Sequence, residues 1–168
     1  STVDGEVYSV GDDEIEFTIQ SMSKPFTYAY ALQKLGIDAV LDKVGVEPSG
    51  EAFNQISLGN DRRPKNPMIN SGAITTHSLI PIKEGLQGAE ILREFMSELA
   101  GRELRFDDAV YQSEVKTAYR NLSIGYMLRT VGILESDPVD IVNGYIRQCS
   151  ILVTVKDLVR MGSVLANG

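Results

Sequence analysis

The sequence predicts an α/β protein of the α+β kind: a mostly helical region opened by an antiparallel hairpin that belongs to a larger sheet. Three observations carry that expectation. Apolar and polar residues alternate through much of the first twenty positions, the period of a half-buried strand. From Ser21 onward apolar residues recur three and four apart, the period of a helix. The composition, 43% hydrophobic and 23% charged over 168 residues, is that of a chain able to bury a core of its own, and it excludes disorder and low complexity.

Each element has a local signal. Thr2-Val3 leads into Asp4-Gly5, a strong short hairpin signal, and Glu6-Val7-Tyr8-Ser9-Val10 alternates behind it. Gly11-Asp12-Asp13 makes a second turn before Ile15, Phe17 and Ile19. The strand ahead of Asp4-Gly5 holds only three residues, fewer than the ~5 of an ordinary strand, so the chain reads as starting partway along one. Lys24 to Leu35 is helical, with Phe26 and Tyr30 at helical spacing, Pro25 in the first turn and Gly36 as the stop. Ile37 to Val44 reads as a short second helix, 47–50 and 59–67 as loops, and Asn70 to Ile80 as a buried helix of small residues. Gly85 to Ala100 has the clearest apolar stripe, made of Ile91, Leu92, Phe95, Met96 and Leu99 and closed by Gly101. Tyr119 to Val131 is a further helix ended by Gly132. Asp137-Pro138 pairs a cap with a proline at the first helical position and opens a helix to about Cys149. Thr154 with Asp157 is a capping box ahead of Leu158, Met161 and Leu165.

Charge and rare residues narrow the functions open to the chain. Sixteen Lys and Arg stand against 23 Asp and Glu, giving a net charge of −7 and a pI near 4.7. That balance argues against nucleic acid or an anionic membrane as partner, since both demand clustered cations. A single cysteine, Cys149, cannot form an internal disulfide, so a reducing, cytoplasmic setting is expected. With one histidine, His77, beside it, almost nothing is left for a zinc site, and no metal is expected. No apolar run approaches the ~20 residues of a membrane helix.

The first chemical candidate is Ser21-Met22-Ser23-Lys24, an S-x-x-K where strand gives way to helix. Positions three apart share a helix face, so Lys24 is within reach of the Ser21 hydroxyl. A serine at a helix N-terminus gains from the dipole there, which favours a developing oxyanion. A lysine in a dry pocket has a lowered pKa and serves as base. The pattern alone is weak: random placement of 14 serines and 7 lysines yields roughly 0.6 matches, and the chain holds two, the other being Ser113 to Lys116. A serine cap with a solvated lysine explains Ser21 and Lys24 equally well.

The second candidate is Asn66-Pro67-Met68-Ile69-Asn70-Ser71-Gly72-Ala73, small and amide residues that suit a small polar ligand or, alternatively, tight helix packing. The third is Glu114 with Asn121, seven apart and on one face if the segment is helical. A carboxylate for an ammonium and an amide for a carboxylate would recognise the backbone end of an amino acid, and a solvated helix face is the alternative. Tyr145, on an amphipathic helix, reads as core or site, while His77 and Cys149 read as packing residues.

Taken together the pieces point further. Phe17 to Lys24, Asn66 to Ile74, Arg120-Asn121-Leu122-Ser123-Ile124-Gly125-Tyr126, Gln148-Cys149-Ser150-Ile151 and Leu165-Ala166-Asn167-Gly168 occur in this order. In order and spacing they closely resemble the serine-dependent glutaminases, whose fold is that of β-lactamases and penicillin-binding proteins. The resemblance implies hydrolysis of L-glutamine to L-glutamate and ammonia with no cofactor, in a homo-oligomer, a dimer or tetramer. It implies Ser21 as nucleophile, Lys24 as base, and Gln20, Asn70, Glu114, Asn121 and Tyr145 at the substrate's α-amino and α-carboxyl ends. Members of the family are longer, so 1–168 is expected to be part of a catalytic domain, with strands over 1–20, a mainly helical 21–168 and both ends of the domain lacking. The missing segments would carry two further tyrosines and a second oxyanion donor, and the isolated chain is expected to turn over little. Another serine acyl hydrolase, and an inactive piece that keeps the substrate-contacting helices, remain the alternatives.

Overall fold

The computed structural model describes residues 2, 5–50, 52, 58–81 and 87–167. Three short strands form its antiparallel sheet: β1 (Phe17–Thr18), β2 (Arg105–Phe106) and β3 (Ile151–Val153), in the order β1-β3-β2. Phe17 lies opposite Val153 and Thr18 opposite Leu152, while Arg105 and Phe106 face Leu152 and Ile151. The small antiparallel sheet is therefore present, its strands drawn from segments remote in sequence; of the first strand of the expected hairpin, residues 1 and 3 lie outside the described residues. Gly5, at φ +94°, does sit in a turn closed by its N–H to the Thr2 carbonyl, and Asp4 lies outside the described residues. Residues 6–10 then run without a ladder, with Tyr8 79% and Val10 97% exposed. Alternation marks a strand only when a neighbour supplies the other half of the ladder. Here the partners of β1 come from 134 and 136 residues further along the chain.

Among the described residues eight α-helices follow the order read from the sequence, with one addition: α1 (Ser23–Leu35), α2 (Ile37–Leu41), α3 (Asn70–Ser78), α4 (Gly88–Ala100), α5 (Asp108–Lys116), α6 (Tyr119–Thr130), α7 (Pro138–Cys149) and α8 (Val155–Asn167). The stops are where glycine allows a left-handed exit, Gly36 at φ +83° and Gly101 at φ +71°. Asp137 accepts from the Val139 N–H and starts α7 behind Pro138. Thr154 and Asp157 form the capping box of α8: the carboxylate takes the Thr154 N–H at 2.7 Å and the Thr154 hydroxyl takes the Asp157 N–H at 3.2 Å. Arg102 adds a 2.6 Å contact to the same carboxylate, so burial, which alone would raise the Asp157 pKa, is outweighed and it lies below the usual range. The unforeseen helix is α5, short and half-exposed, whose signal is the Asp107 side chain on the Val110 N–H.

Two apolar clusters hold these elements. One gathers Ile19, Phe26, Leu92, Met96, Ile151, Val153 and Met161 between the sheet, α1, α4 and α8; the other gathers Ile74, Ile124, Leu128, Val142 and Ile146 from α3, α6 and α7. Helix α3 is buried on nearly every side, as its small residues foretold. Its threonine hydroxyls are satisfied within the helix, Thr75 on the Ser71 carbonyl at 2.9 Å and Thr76 on the Gly72 carbonyl at 2.8 Å, whereas the buried Ser71 hydroxyl has no hydrogen-bond partner among the described residues.

The loop before α3 is folded around Asn66. Its side-chain oxygen accepts from the Met68 and Ile69 N–H groups and its amide donates to the Glu47 carbonyl. The Asn66 carbonyl presses against Gly72 so closely that a Cβ there would lie 1.8 Å from the oxygen. We expect Gly72→Ala to cost about 3 kcal/mol or more, since backbone rather than a flexible side chain must move. Denaturant unfolding checks this, and a loss under 1 kcal/mol would contradict it.

Candidate active site

The chain entering the site is held from both sides. The Ile19 N–H donates to the Ile151 carbonyl at 2.8 Å, fixing the exit of β1 to the central strand. Gln20 then turns with φ +50°, a left-handed backbone that L-residues adopt at a cost. Ser21 follows in a single 3₁₀ turn (Gln20–Met22) and is exposed where α1 begins. N–H groups in such a first turn have no acceptor in their own helix, so they are free to meet an anion.

Lys24, one turn on, is only 4% exposed. Its Nζ donates to the Met68 carbonyl and to Asn70 Oδ1, each at 2.9 Å. Burial holds its pKa below the usual lysine value. Asn70 passes the network on, donating from Nδ2 to Asn121 Oδ1 at 3.2 Å. Tyr145, on α7, faces the side chains of Ser21 and Cys149, and burial raises its pKa, so the hydroxyl keeps its proton. Cys149 lies among Tyr145, Ser23 and Lys24; burial pushes its thiol up to about 11, and it is no nucleophile at neutral pH.

Ser21, Lys24, Asn70, Asn121 and Tyr145 are thus brought together from five segments. Gln20 is at the centre through its backbone, while its side chain donates to Thr18 Oγ1 at 3.2 Å. Glu114 is placed differently from the expectation. It lies in the last turn of α5 and Asn121 in α6, with the chain bending at Thr117-Ala118, so they do not share one helix face. Glu114 is exposed, and its charge is near enough to act on Cys149. Ser113, of the second S-x-x-K, lies exposed on α5. Among the described residues no three of His, Cys, Asp and Glu converge as a metal cage would require.

Three residues not singled out as site residues lie directly beneath it. Ser23 Oγ donates to the Gln20 carbonyl at 2.8 Å, Gln148 Nε2 donates to Ser23 Oγ at 2.8 Å, and His77 Nδ1 meets Gln148 Oε1 at 2.8 Å. All three are at most 5% exposed. The positions of Ser23 inside S-x-x-K and of Gln148 inside Gln-Cys-Ser-Ile were the available signals; that His77 pairs with Gln148 was not readable from a separation of 71 residues.

With this geometry in place, the comparisons with known proteins are consistent throughout. Residues 1–168 match the Glutaminase family, and the chain belongs to that family. It is 52% identical to the glutaminase of Corynebacterium glutamicum over 99% of its own length and 41% of that protein's, and 47% identical to glutaminase 1 of Bradyrhizobium diazoefficiens over 99% and 27%. A crystal structure of Mglu superposes with a TM-score of 0.92 at 48% identity, covering 99% of this chain and 42% of that one. A Bacillus subtilis structure described as a probable glutaminase superposes at 0.87 with 37% identity, covering 93% and 51%. The chain therefore spans less than half the length of these two curated relatives.

Full burial lowers the His77 pKa from 6.5 to about 4, against a smaller opposing effect of Gln148. Between those values the unfolded chain binds a proton that the folded one does not, so stability rises with pH across the window. We expect about 3 kcal/mol of stability to be lost as pH falls from near 6.5 to near 4, with no further share of this loss below it. Unfolding free energies measured between pH 7.5 and 4.5 check this, and His77→Asn, which keeps a donor near Nδ1, should flatten the slope.

Proposed function

We propose that this chain is the nucleophile-bearing part of a cytoplasmic glutaminase of β-lactamase-like fold, which hydrolyses L-glutamine to L-glutamate and ammonia through a serine ester. The observation that carries the reading is the family match over residues 1–168, to which the contacts of Lys24 add the chemistry. One of the neighbouring Mglu structures is described as its tris and glutamate form, which supports an amino-acid ligand here.

Lys24, whose neutral form is favoured by burial, takes the Ser21 hydroxyl proton, and Oγ attacks the γ-carbonyl carbon of glutamine. The oxyanion is met by the Ser21 N–H. The proton passes to the amide nitrogen, the C–N bond breaks and ammonia leaves, giving a γ-glutamyl ester on Ser21. Water, giving its proton to Lys24, attacks this ester and releases glutamate, and Oγ recovers a proton. Glu114 answers the substrate ammonium, while Asn70, Asn121, Gln20 and Tyr145 hold its carboxylate end. The reaction as written uses no metal or organic cofactor. The protein acts as a homo-oligomer, and segments outside 1–168 complete the sheet and supply a second oxyanion donor.

A diazoketone analogue of L-glutamine tests the reading by intact mass. The expected result is one adduct, absent in Ser21→Ala. Its rate of formation should rise with pH through a midpoint below the ~10.4 of an ordinary lysine, and Lys24→Met should slow it by at least ~100-fold. No adduct on Ser21 would overturn the proposal. Glutamine turnover by residues 1–168 should lie ~100- to 1,000-fold below that of a protein with the second oxyanion donor restored; equal rates would contradict this.

A further inference from the structure

We propose that Ser23, Gln148 and His77 are positioning residues that aim the Ser21 N–H at the developing oxyanion by gripping the other end of its peptide group. The inference rests on Ser21 being the nucleophile of a glutaminase.

The carbonyl that Ser23 holds belongs to Gln20, and the Gln20 carbonyl and the Ser21 N–H are the two ends of one trans peptide plane. Whatever fixes the carbonyl fixes the N–H in the opposite direction. That carbonyl receives two bonds from one residue, the Ser23 N–H and the Ser23 hydroxyl, the latter at 2.8 Å. Both are needed because Gln20 is left-handed at φ +50° without being glycine, and such a backbone relaxes unless its surroundings over-determine it.

The hydroxyl has its direction imposed from below. Gln148 Nε2 donates to Ser23 Oγ, which leaves the Ser23 proton to point at Gln20. An amide with its nitrogen so committed presents Oε1 to His77, and neutral His77 answers from Nδ1–H. Every bond runs the same way, from imidazole to amide to hydroxyl to peptide carbonyl. Bonds chained in one direction polarise one another, so the N–H at the far end is a better donor as well as a better-aimed one. Packing alone does not call for this chain. Three apolar side chains would fill the same buried space without desolvating an imidazole, an amide and a hydroxyl. An apolar trio would leave the Gln20 carbonyl held by the Ser23 N–H alone. His77 is itself confined, since a Cβ on Gly144 would come within 2.4 Å of its Nε2.

The diazoketone reads this directly, because its ketone oxygen occupies the oxyanion position. In Ser23→Ala the rate constant for labelling Ser21 should fall ~10- to 100-fold, with the analogue's half-saturating concentration unchanged within about twofold. Ser23→Thr, which keeps the hydroxyl, should recover most of the rate. Gln148→Met should cost several-fold alone and nothing further in the Ser23→Ala background, because the two act in series. A change in half-saturation without a change in rate, losses that multiply in the double variant, or full-rate labelling of Ser23→Ala would each overturn the inference while leaving the glutaminase reading intact. Failure of the unsubstituted protein to label would overturn that reading, and the inference with it. Thermal unfolding of each variant separates these outcomes from loss of the fold: a Ser23→Ala protein that no longer folds hands the decision to Gln148→Met and Ser23→Thr.

Discussion

A lysine almost sealed from water needs acceptors, and much of the structure around residues 66–72 follows from that constraint. An isolated buried ammonium is costly, and the Met68 carbonyl and Asn70 Oδ1 both reach Lys24. Those two acceptors exist where they do because Asn66 folds the preceding loop onto its own side chain. The loop in turn needs Gly72, against which its backbone rests. Removing any member leaves a charge, a carbonyl or an amide without its complement. Burial also lowers the lysine pKa, so the constraint that shapes the loop is the one on which the proposed role of Lys24 as base rests.

The opposite wall is set by the junction of α7 and β3. Within four residues this segment supplies Gln148 to the buried chain, Cys149 beside Tyr145, and Ile151 to the Ile19 N–H. The strand anchors the main chain just before Gln20, and the helix end controls it just after. The turn that carries Ser21 is clamped between two elements that are adjacent in sequence to each other and far from it. Both apolar clusters meet here, since α1 belongs to one and α3 and α7 to the other. A shift of α7 against β3 would therefore reach Ser21 both through its main chain and through Tyr145.

Helices were legible where the signal was local. Gly36 and Gly101 stop helices as read, Asp137-Pro138 starts one, and Thr154 with Asp157 makes the capping box. Sheet partners were not, because a strand of two or three residues has no period of its own and its ladder comes from remote sequence. The alternation of 6–10 misled for the same reason. Of the proposed site, Ser21, Lys24, Asn70 and Asn121 lie in sequence blocks that could be read in order, and Lys24 bonds Asn70, which bonds Asn121. The relation of Glu114 to Asn121 was misjudged because a break at Thr117-Ala118 resets the helical phase. The chain from His77 to Gln20 was invisible, since each of its residues is unremarkable alone and only burial gives the bonds their weight.

The site divides by exposure in a way that bears on its chemistry. Lys24, Tyr145, Ser23 and Gln148 are all buried, and the bonds among them and their neighbours are made before any ligand arrives. Such groups act in a low dielectric and do not reorganise during a reaction, the condition under which electrostatic catalysis is strong. Glu114 stands at the surface. A solvated carboxylate attracts an ammonium at 4 Å by only ~1 kcal/mol, too little to select one amino acid over its analogues. The role proposed for Glu114 would therefore require that water be excluded from the pair when substrate is bound. In the proposed reaction, rate would rest on the buried half of the site and selectivity on how its open half is covered.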